Sequence, residues 1–413
     1  MAFQDRFLRP ATRRGALKQL GAAGVALASG PAWGQTVTTL PLPGGPGERD
    51  LTDAFPEKGR MILQRTRPPM LETPFEVFDQ GVFTPNDLFF VRWHWAVIPT
   101  DINVDSYSLS VHGHVAKPLT LSLKQIMSLP RTELAAVNQC SGNSRGYFQP
   151  RVAGGEWSNG AMGNAKWMGV RLKDVLDLAG VKPGAVRVRF AGGDDPVVAD
   201  APKFMKSLDI DHARDGEVLI AYGMNGAQMP LLNGFPIRLI VPGWYSTYWV
   251  KMLNSIEVLD GADDNFWMTT AYRIPDTPGA NIRPGETGIP TVPINRMVPR
   301  SFITNLHEGA TVRAGEDTPV RGIAFGGSTG VRAVDLSTDG GMSWKPAELG
   351  RDEGKYGFRQ WSTSLRAPAG NLAVMVRCTN TDGLQQPVAP NWNPSGFMRN
   401  VIETTQLRAV KAS

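Results

Sequence analysis

Apolar and polar positions along the chain fall into three regimes. From about residue 50 to 270 short stretches change period. Tyr107–His112 and Val186–Phe190 alternate every second residue, which predicts half-buried strands. Leu172, Val175, Leu176 and Ala179 recur at i, i+3, i+4 and i+7 before Gly180, which predicts a helix closed by a glycine cap. Glu217–Tyr222 and Ile237–Val241 predict further strands, the first leaving through the turn pair Asn225-Gly226. The expected fold here is α+β with a mixed sheet.

Prolines then accumulate at Pro275, Pro278, Pro284, Pro290, Pro293 and Pro299, which favours an extended path and places a domain boundary. After Ser301 every segment reads as strand: Val320–Phe325, Val331–Leu336, Phe358–Ser362 and Leu372–Cys378, punctuated by Asp339-Gly340-Gly341 and Asp382-Gly383. This predicts a C-terminal β-sandwich of immunoglobulin type. The expected division is residues 1–34, a catalytic domain over 50–270, a Pro-rich linker over 271–300 and the sandwich over 301–413.

The first regime, residues 1–35, changes the reading of the charge. The 413-residue chain carries a formal +5, but Arg6, Arg9, Arg13, Arg14 and Lys18 against Asp5 put most of it here. The remainder is nearly neutral, so nothing points to nucleic acid or a membrane surface as partner. Thr12-Arg13-Arg14-Gly15-Ala16-Leu17-Lys18, a weakly apolar run to Ala28 and the exit Ala32-Trp33-Gly34 are similar to a twin-arginine export signal. No later run reaches the roughly 18 apolar residues of a membrane span. A soluble periplasmic protein, exported already folded, is expected.

Only two cysteines occur, and Cys378 alternates with Leu372, Val374 and Val376 on one strand face, as a core thiol would. A Cys140–Cys378 disulfide is the alternative. Cys140 ends the apolar run Ala135-Ala136-Val137 and opens the loop Ser141-Gly142-Asn143-Ser144-Arg145-Gly146, where a strand hands over to a loop. Without CxxC or CxxCH, covalent haem, iron–sulfur clusters and tetrathiolate zinc are excluded. Without a GxGxxG before a helix, a P-loop or a GxSxG, so are the common nucleotide and serine-hydrolase readings. Three further segments carry candidate chemistry. Phe89–Trp95 alternates Arg92 and His94 with aromatic rings, predicting a strand with the polar pair on one face. Gly154-Gly155-Glu156-Trp157 is a Gly-rich loop with a tryptophan, and 233–251 packs aromatics around Arg238 and Lys251.

Cys140-x-Gly142-Asn143-x-Arg145, Phe90-x-Arg92-x-His94, Gly234-Phe235-Pro236-x-Arg238 with Val241-Pro242-Gly243 and Val250-Lys251, and Asn391-Trp392-Asn393-Pro394-x-Gly396 occur in an order that resembles the sulfite oxidase family of molybdenum–pterin enzymes. The resemblance spans about residues 50–400 and is strongest to the molybdenum subunits of bacterial sulfite and sulfane dehydrogenases. It implies one Mo-molybdopterin per chain with Cys140 as the metal's protein ligand. A thiolate is a soft, strongly donating ligand suited to that metal. The resemblance also makes Arg92, Arg145 and Trp157 the lining of an oxyanion pocket and Tyr272 the active-site tyrosine. Guanidinium forks suit the oxygens of sulfite. For the pterin it implies Phe90, Arg92, His94, Asp194, Asn233, Trp249 and Val250, with Arg238 and Lys251 at the phosphate. Asn233 stands where animal members carry a histidine, and Ser395 where they carry a substrate arginine. Arg399 is the nearest residue that could restore that charge.

The implied reaction is oxygen-atom transfer to sulfite, or to sulfane sulfur on a carrier protein. With no haem motif in the chain, a separate cytochrome c is the expected electron acceptor. The C-terminal unit resembles the family's dimerisation domain, so a homodimer, or a heteromer with the cytochrome, is expected. Rival readings are a periplasmic molybdenum reductase of S-oxides such as methionine sulfoxide, which would not need the Arg92–Arg145 pair, and an exported binding module with an inert Cys140.

Overall fold

The computed structural model describes residues 36–411. The expected export signal over 1–34 lies outside the described residues. The fold is mostly β. Five N-terminal strands, β1 (Val37–Thr39), β2 (Glu48–Thr52), β3 (Met61–Arg65), β4 (Met70–Glu72) and β5 (Val91–Arg92), pair in chain order as an antiparallel sheet. A second, mixed sheet follows the spatial order β11-β10-β15-β6-β7, built from β6 (Ser108–Gly113), β7 (Leu119–Ser122), β10 (Arg187–Ala191), β11 (Met205–Asp209) and β15 (Ser255–Leu259), with only β6 and β15 parallel. The third sheet, β13-β12-β9-β8, is antiparallel. It comprises β8 (Arg131–Gln139), β9 (Met162–Arg171), β12 (Leu219–Met224) and β13 (Ala227–Gln228), with β14 (Arg238–Ile240) also on β12.

Helix content falls short of the α+β expectation. The helix predicted from the Leu172 stripe forms over Leu172–Ala179, buries the four positions of that stripe while leaving Leu178 exposed, and ends on Gly180 at φ 68°, yet at eight residues it is the longest among the described residues. Strands took the rest because the third sheet is covered on both faces. Every residue of β12 is buried, and β9 is exposed only at its last position. Glycines admit that crowding: a Cβ on Gly163 of β9 would lie 2.6 Å from the Phe89 ring.

Beyond residue 300 the chain forms a four-stranded and a five-stranded sheet around their own core of Val320, Val334, Trp361, Val374, Val376, Cys378 and Leu407. Cys378 is a buried free thiol, and so is Cys140, so the disulfide alternative is not realised. The Pro-rich stretch is extended as expected, with Arg273–Pro275 paired to Thr291–Pro293. The large core, however, runs on through Ile274, Ile294, Phe302, Phe325 and Phe358.

Arg300, at 0% exposure, ties the C-terminal part to the cysteine loop. It donates to Ser144 Oγ at 2.9 Å and to Glu403 Oε1 at 2.5 Å, and lies 4.5 Å from the Phe302 ring centroid. Removing one partner of a buried charged network strands the other. Arg300→Met is expected to cost roughly 3 kcal/mol in urea unfolding; an unchanged midpoint would contradict this coupling.

Candidate functional site

Strand β8 delivers Cys140 at its end, where the cysteine N–H donates to Ala161 O of the strand alongside at 2.9 Å. The loop then folds on itself. Asn143 N donates back to Cys140 O and Arg145 N to Gly142 O, both at 3.0 Å, while Asn143 Oδ1 accepts from Ala161 N at 2.9 Å. Ser144 adopts φ 68°, and a Cβ on Gly142 would lie 2.5 Å from the Arg145 guanidinium. Glycine there lets Arg145 fold over the loop.

A cleft with about 460 Å³ of space between its protein atoms opens beside Cys140. Phe90, Arg92 and His94 line it from the N-terminal sheet and its exit, and Asn233, Arg238, Trp249 and Lys251 from the 233–251 segment; Tyr272 completes the set. Residues from four distant segments thus meet. Phe89–Trp95 forms a shorter strand than expected, since only Val91–Arg92 pairs, but the expected shared face holds: Arg92 and His94, with Phe90 two residues before, line the cleft together. The strand stops short because of Asp194, whose carboxylate accepts from His94 N at 3.0 Å, Trp95 N at 2.8 Å and His94 Nδ1 at 2.7 Å, turning the chain away from the sheet.

That carboxylate sets the local protonation. Burial, and then the nearby Arg92 charge, hold His94 well below its ordinary value, so the ring is neutral. Its Nδ1–H donates to Asp194, which leaves Nε2 to accept from the Tyr272 hydroxyl at 2.8 Å. For Asp194 burial opposes ionisation, but the proximity and hydrogen bonds of His94, then the charge of Lys251, hold it below the usual carboxylate range. Burial pushes Tyr272 up to about 12, so its proton stays on.

Arg238 and Lys251 face each other across an isolated backbone bridge. Arg238 donates to Asn233 O at 2.8 Å and Trp249 O at 3.1 Å and lies 5.3 Å from the Trp167 ring centroid. Lys251 Nζ lies 4.6 Å from the centroid of Trp93. Neither forms an ion pair among the described residues, and burial lowers Arg238 to about 9 and Lys251 to about 7.

The other expected residues stand behind the cleft. Asp194 acts through His94, Val250 accepts from Leu239 N at 2.9 Å, and Trp157 is fully buried, with its carbonyl accepting from Gly146 N at 3.0 Å. Arg145 reaches Gly155 O and Ser395 O, each at 3.3 Å. Arg399 does not line the cleft, because Glu403 holds its guanidinium at 3.5 Å and Tyr147 lies beneath it at 5.0 Å. Asn233 works as a brace: its side chain accepts from Lys58 Nζ at 3.0 Å and donates to Phe90 O at 3.0 Å.

Sequence reasoning missed Asn138, Ser141, Phe204, Leu232, Ser246 and Thr247 in the lining. Asn138 was within reach, since it shares the face of Cys140 by period two. Phe204, stacked on His94 at 3.5 Å, carried no local signal.

The donor set fits an anionic group bearing a soft-ligated metal. Arg92 Nη1, Arg238 Nε, Asn138 Nδ2, Ser141 Oγ and Thr247 Oγ1 are buried without a hydrogen-bond partner among the described residues, and all five residues line the cleft. Such groups are costly unless something meets them.

Residues 95–267 match the Oxidoreductase molybdopterin binding domain and residues 291–408 the Mo-co oxidoreductase dimerisation domain. The chain is 33% identical to sulfite oxidase of Gallus gallus over 379 residues, covering 86% of this chain and 80% of the relative. The chain belongs to the sulfite oxidase family. Its likeness to mitochondrial sulfite oxidase of Mus musculus is 34% over 370 residues, 84% of this chain but 65% of that protein, so the chain spans just under two thirds of that relative's length. In fold it is similar to the sulfane dehydrogenase SoxCD from Paracoccus pantotrophus, with a TM-score of 0.69 over 82% of this chain and 84% of that one at 24% identity. Arg92, His94 and Tyr272 lie outside both matched intervals, so the cleft borrows from segments flanking the two family units.

Lys58, under Asn233, gives a pH prediction. Burial lowers it to about 7 against the opposing charges of Asp87 and Glu57, whereas an unfolded lysine holds its proton to about 10.4. Between these values the unfolded chain binds more protons, so stability rises with pH there. Lys58→Met should make that rise shallower by roughly 1 kcal/mol per pH unit between pH 7.5 and 9.5 in urea titrations. Identical slopes would refute it.

Proposed function

We propose that this protein oxidises sulfite, or sulfane sulfur presented on a carrier, at a Mo-molybdopterin held in the cleft, and passes the electrons to a separate cytochrome c. The observation that carries the reading is one cleft lined both by Cys140 and by two cations, Arg238 and Lys251, without ion pairs among the described residues. Arg238 and Lys251 would hold the pterin phosphate and Cys140 Sγ the metal. When bound, that group supplies oxygen-atom transfer and two-electron redox chemistry.

The chain's own residues do the rest. Arg92, in the lining, keeps a buried Nη1 with no partner among the described residues and is a donor for the oxygens of a sulfur oxyanion, while Arg145, behind the lining, adds its positive charge from there. Tyr272 presents a protonated hydroxyl whose direction is fixed by neutral His94, itself fixed by Asp194, so the donor is oriented before substrate arrives. Trp157 and Phe90 exclude water from the buried side. With Ser395 offering only a backbone carbonyl to Arg145 and Arg399 held by Glu403, two guanidiniums carry the oxyanion. That favours a substrate with a single anionic end, which fits both free sulfite and a carrier-bound sulfur.

The test is steady-state sulfite oxidation by molybdenum-loaded protein, with ferricyanide and cytochrome c as alternative acceptors, beside Cys140→Ser. Turnover should be lost by at least about 100-fold in the variant, as for removal of a group made essential to the transition state. A metal-loaded wild type inert towards both sulfite and a sulfane-loaded carrier would contradict the proposal.

A further inference from the structure

Arg145, whose charge serves the oxyanion, and the hydroxyl donor Tyr272 come from segments more than a hundred residues apart, and among the described residues no hydrogen bond joins them. What stands between them is Phe397. Its ring lies parallel to that of Tyr272, 5.3 Å between centroids and 1° between planes, the separation of an offset stack. The Arg145 guanidinium carbon lies 5.1 Å from the same ring's centroid, within cation–π range.

Both neighbours need that wall. Tyr272 sits at φ 56°, a backbone region non-glycine residues seldom adopt and hold only when their surroundings fix them. Among the described residues Arg145 makes only two long side-chain hydrogen bonds, both to backbone carbonyls, and its Nε has no partner. The wall itself is clamped. Asn393 Oδ1 accepts from Phe397 N at 3.2 Å and Asn393 Nδ2 donates to Phe397 O at 2.9 Å. Gly396 packs so close that a Cβ there would lie 2.7 Å from Arg145 Nε.

We infer that Phe397 is a positioning residue that sets the spacing between Arg145 and Tyr272 and thereby the affinity for the anionic end of the substrate. This rests on the oxyanion reading of the cleft. Ser395, two residues earlier, brings no charge of its own to Arg145, so the aromatic face substitutes for a partner in holding the guanidinium.

The experiment compares Phe397→Leu and Phe397→Tyr in the full-length, molybdenum-loaded protein, with rates expressed per bound molybdenum and folding checked by melting temperature. Phe397→Leu should raise the KM for sulfite about tenfold, the effect of losing one cation–π contact, with kcat changed by less than about threefold. Phe397→Tyr, which keeps the ring, should restore KM to within about twofold of wild type. Combined with Arg145→Lys, Phe397→Leu should add less than about twofold, since residues acting through one another are not additive. Calorimetric titration with sulfate reads the same affinity without turnover, and there Phe397→Leu should weaken binding about tenfold. Equal KM and sulfate affinity in wild type and Phe397→Leu, or a fully multiplicative double variant, would overturn the inference. Absent sulfite turnover with sulfate affinity still dependent on Phe397 would sustain it while refuting sulfite as the substrate.

Discussion

Among the described residues Arg238 and Lys251 are buried without an ion pair, and the arrangement of the whole cleft follows from that. A buried cation is costly unless paired or hydrogen-bonded. This fold offers Arg238 two carbonyls and two indole faces, and Lys251 an indole face and the more distant charge of Asp194, but no carboxylate in contact. The lowered values of both groups record the deficit. A sequence that keeps such a deficit suits an anion from outside the chain, and the unit matched over residues 95–267 is a molybdopterin binding domain.

The same cleft gathers these two cations, the neutral His94–Tyr272 pair oriented by Asp194, and Cys140 with Arg92. The backbone departs from regular structure at these points. Ser144 and Tyr272, both at positive φ, lie where the chain leaves a strand or enters one. Three glycines pack on Arg145, Gly142 and Gly154 from nearby in the chain and Gly396 from the C-terminal segment, which thus joins the wall around it. Arg300 fastens the two parts beneath it.

Much of this was legible in the sequence wherever local pattern and long-range packing agree. The Leu172–Ala179 helix, its Gly180 cap and the Leu372–Cys378 strand with Cys378 inward follow from period and turn chemistry alone. The cysteine loop and the 233–251 segment were visible as polar and aromatic departures from period. The amount of helix was not, because burial of a sheet on both faces leaves a near-continuous apolar run that reads either way. Nor was the turn at His94, since its cause, Asp194, lies a hundred residues on. Phe397 lies three residues after Pro394, in a segment without period, and its partners are Tyr272 and Arg145. Arg399 shows the opposite failure: its charge suggested the pocket, but Glu403, four residues away, holds it elsewhere.

The account turns on the claim that the cleft is built for an anion it does not itself supply. The direct measurement is thermal unfolding of cofactor-free and cofactor-loaded protein, for wild type and Arg238→Met. The account predicts that loading stabilises wild type strongly, as a tightly held ligand must. It predicts that Arg238→Met leaves the cofactor-free protein as stable or more so, since a buried cation without an ion pair is removed, while most of the gain on loading disappears. A cofactor-free Arg238→Met that is clearly destabilised, with the gain on loading intact, would show that the cation serves the fold and would contradict the claim.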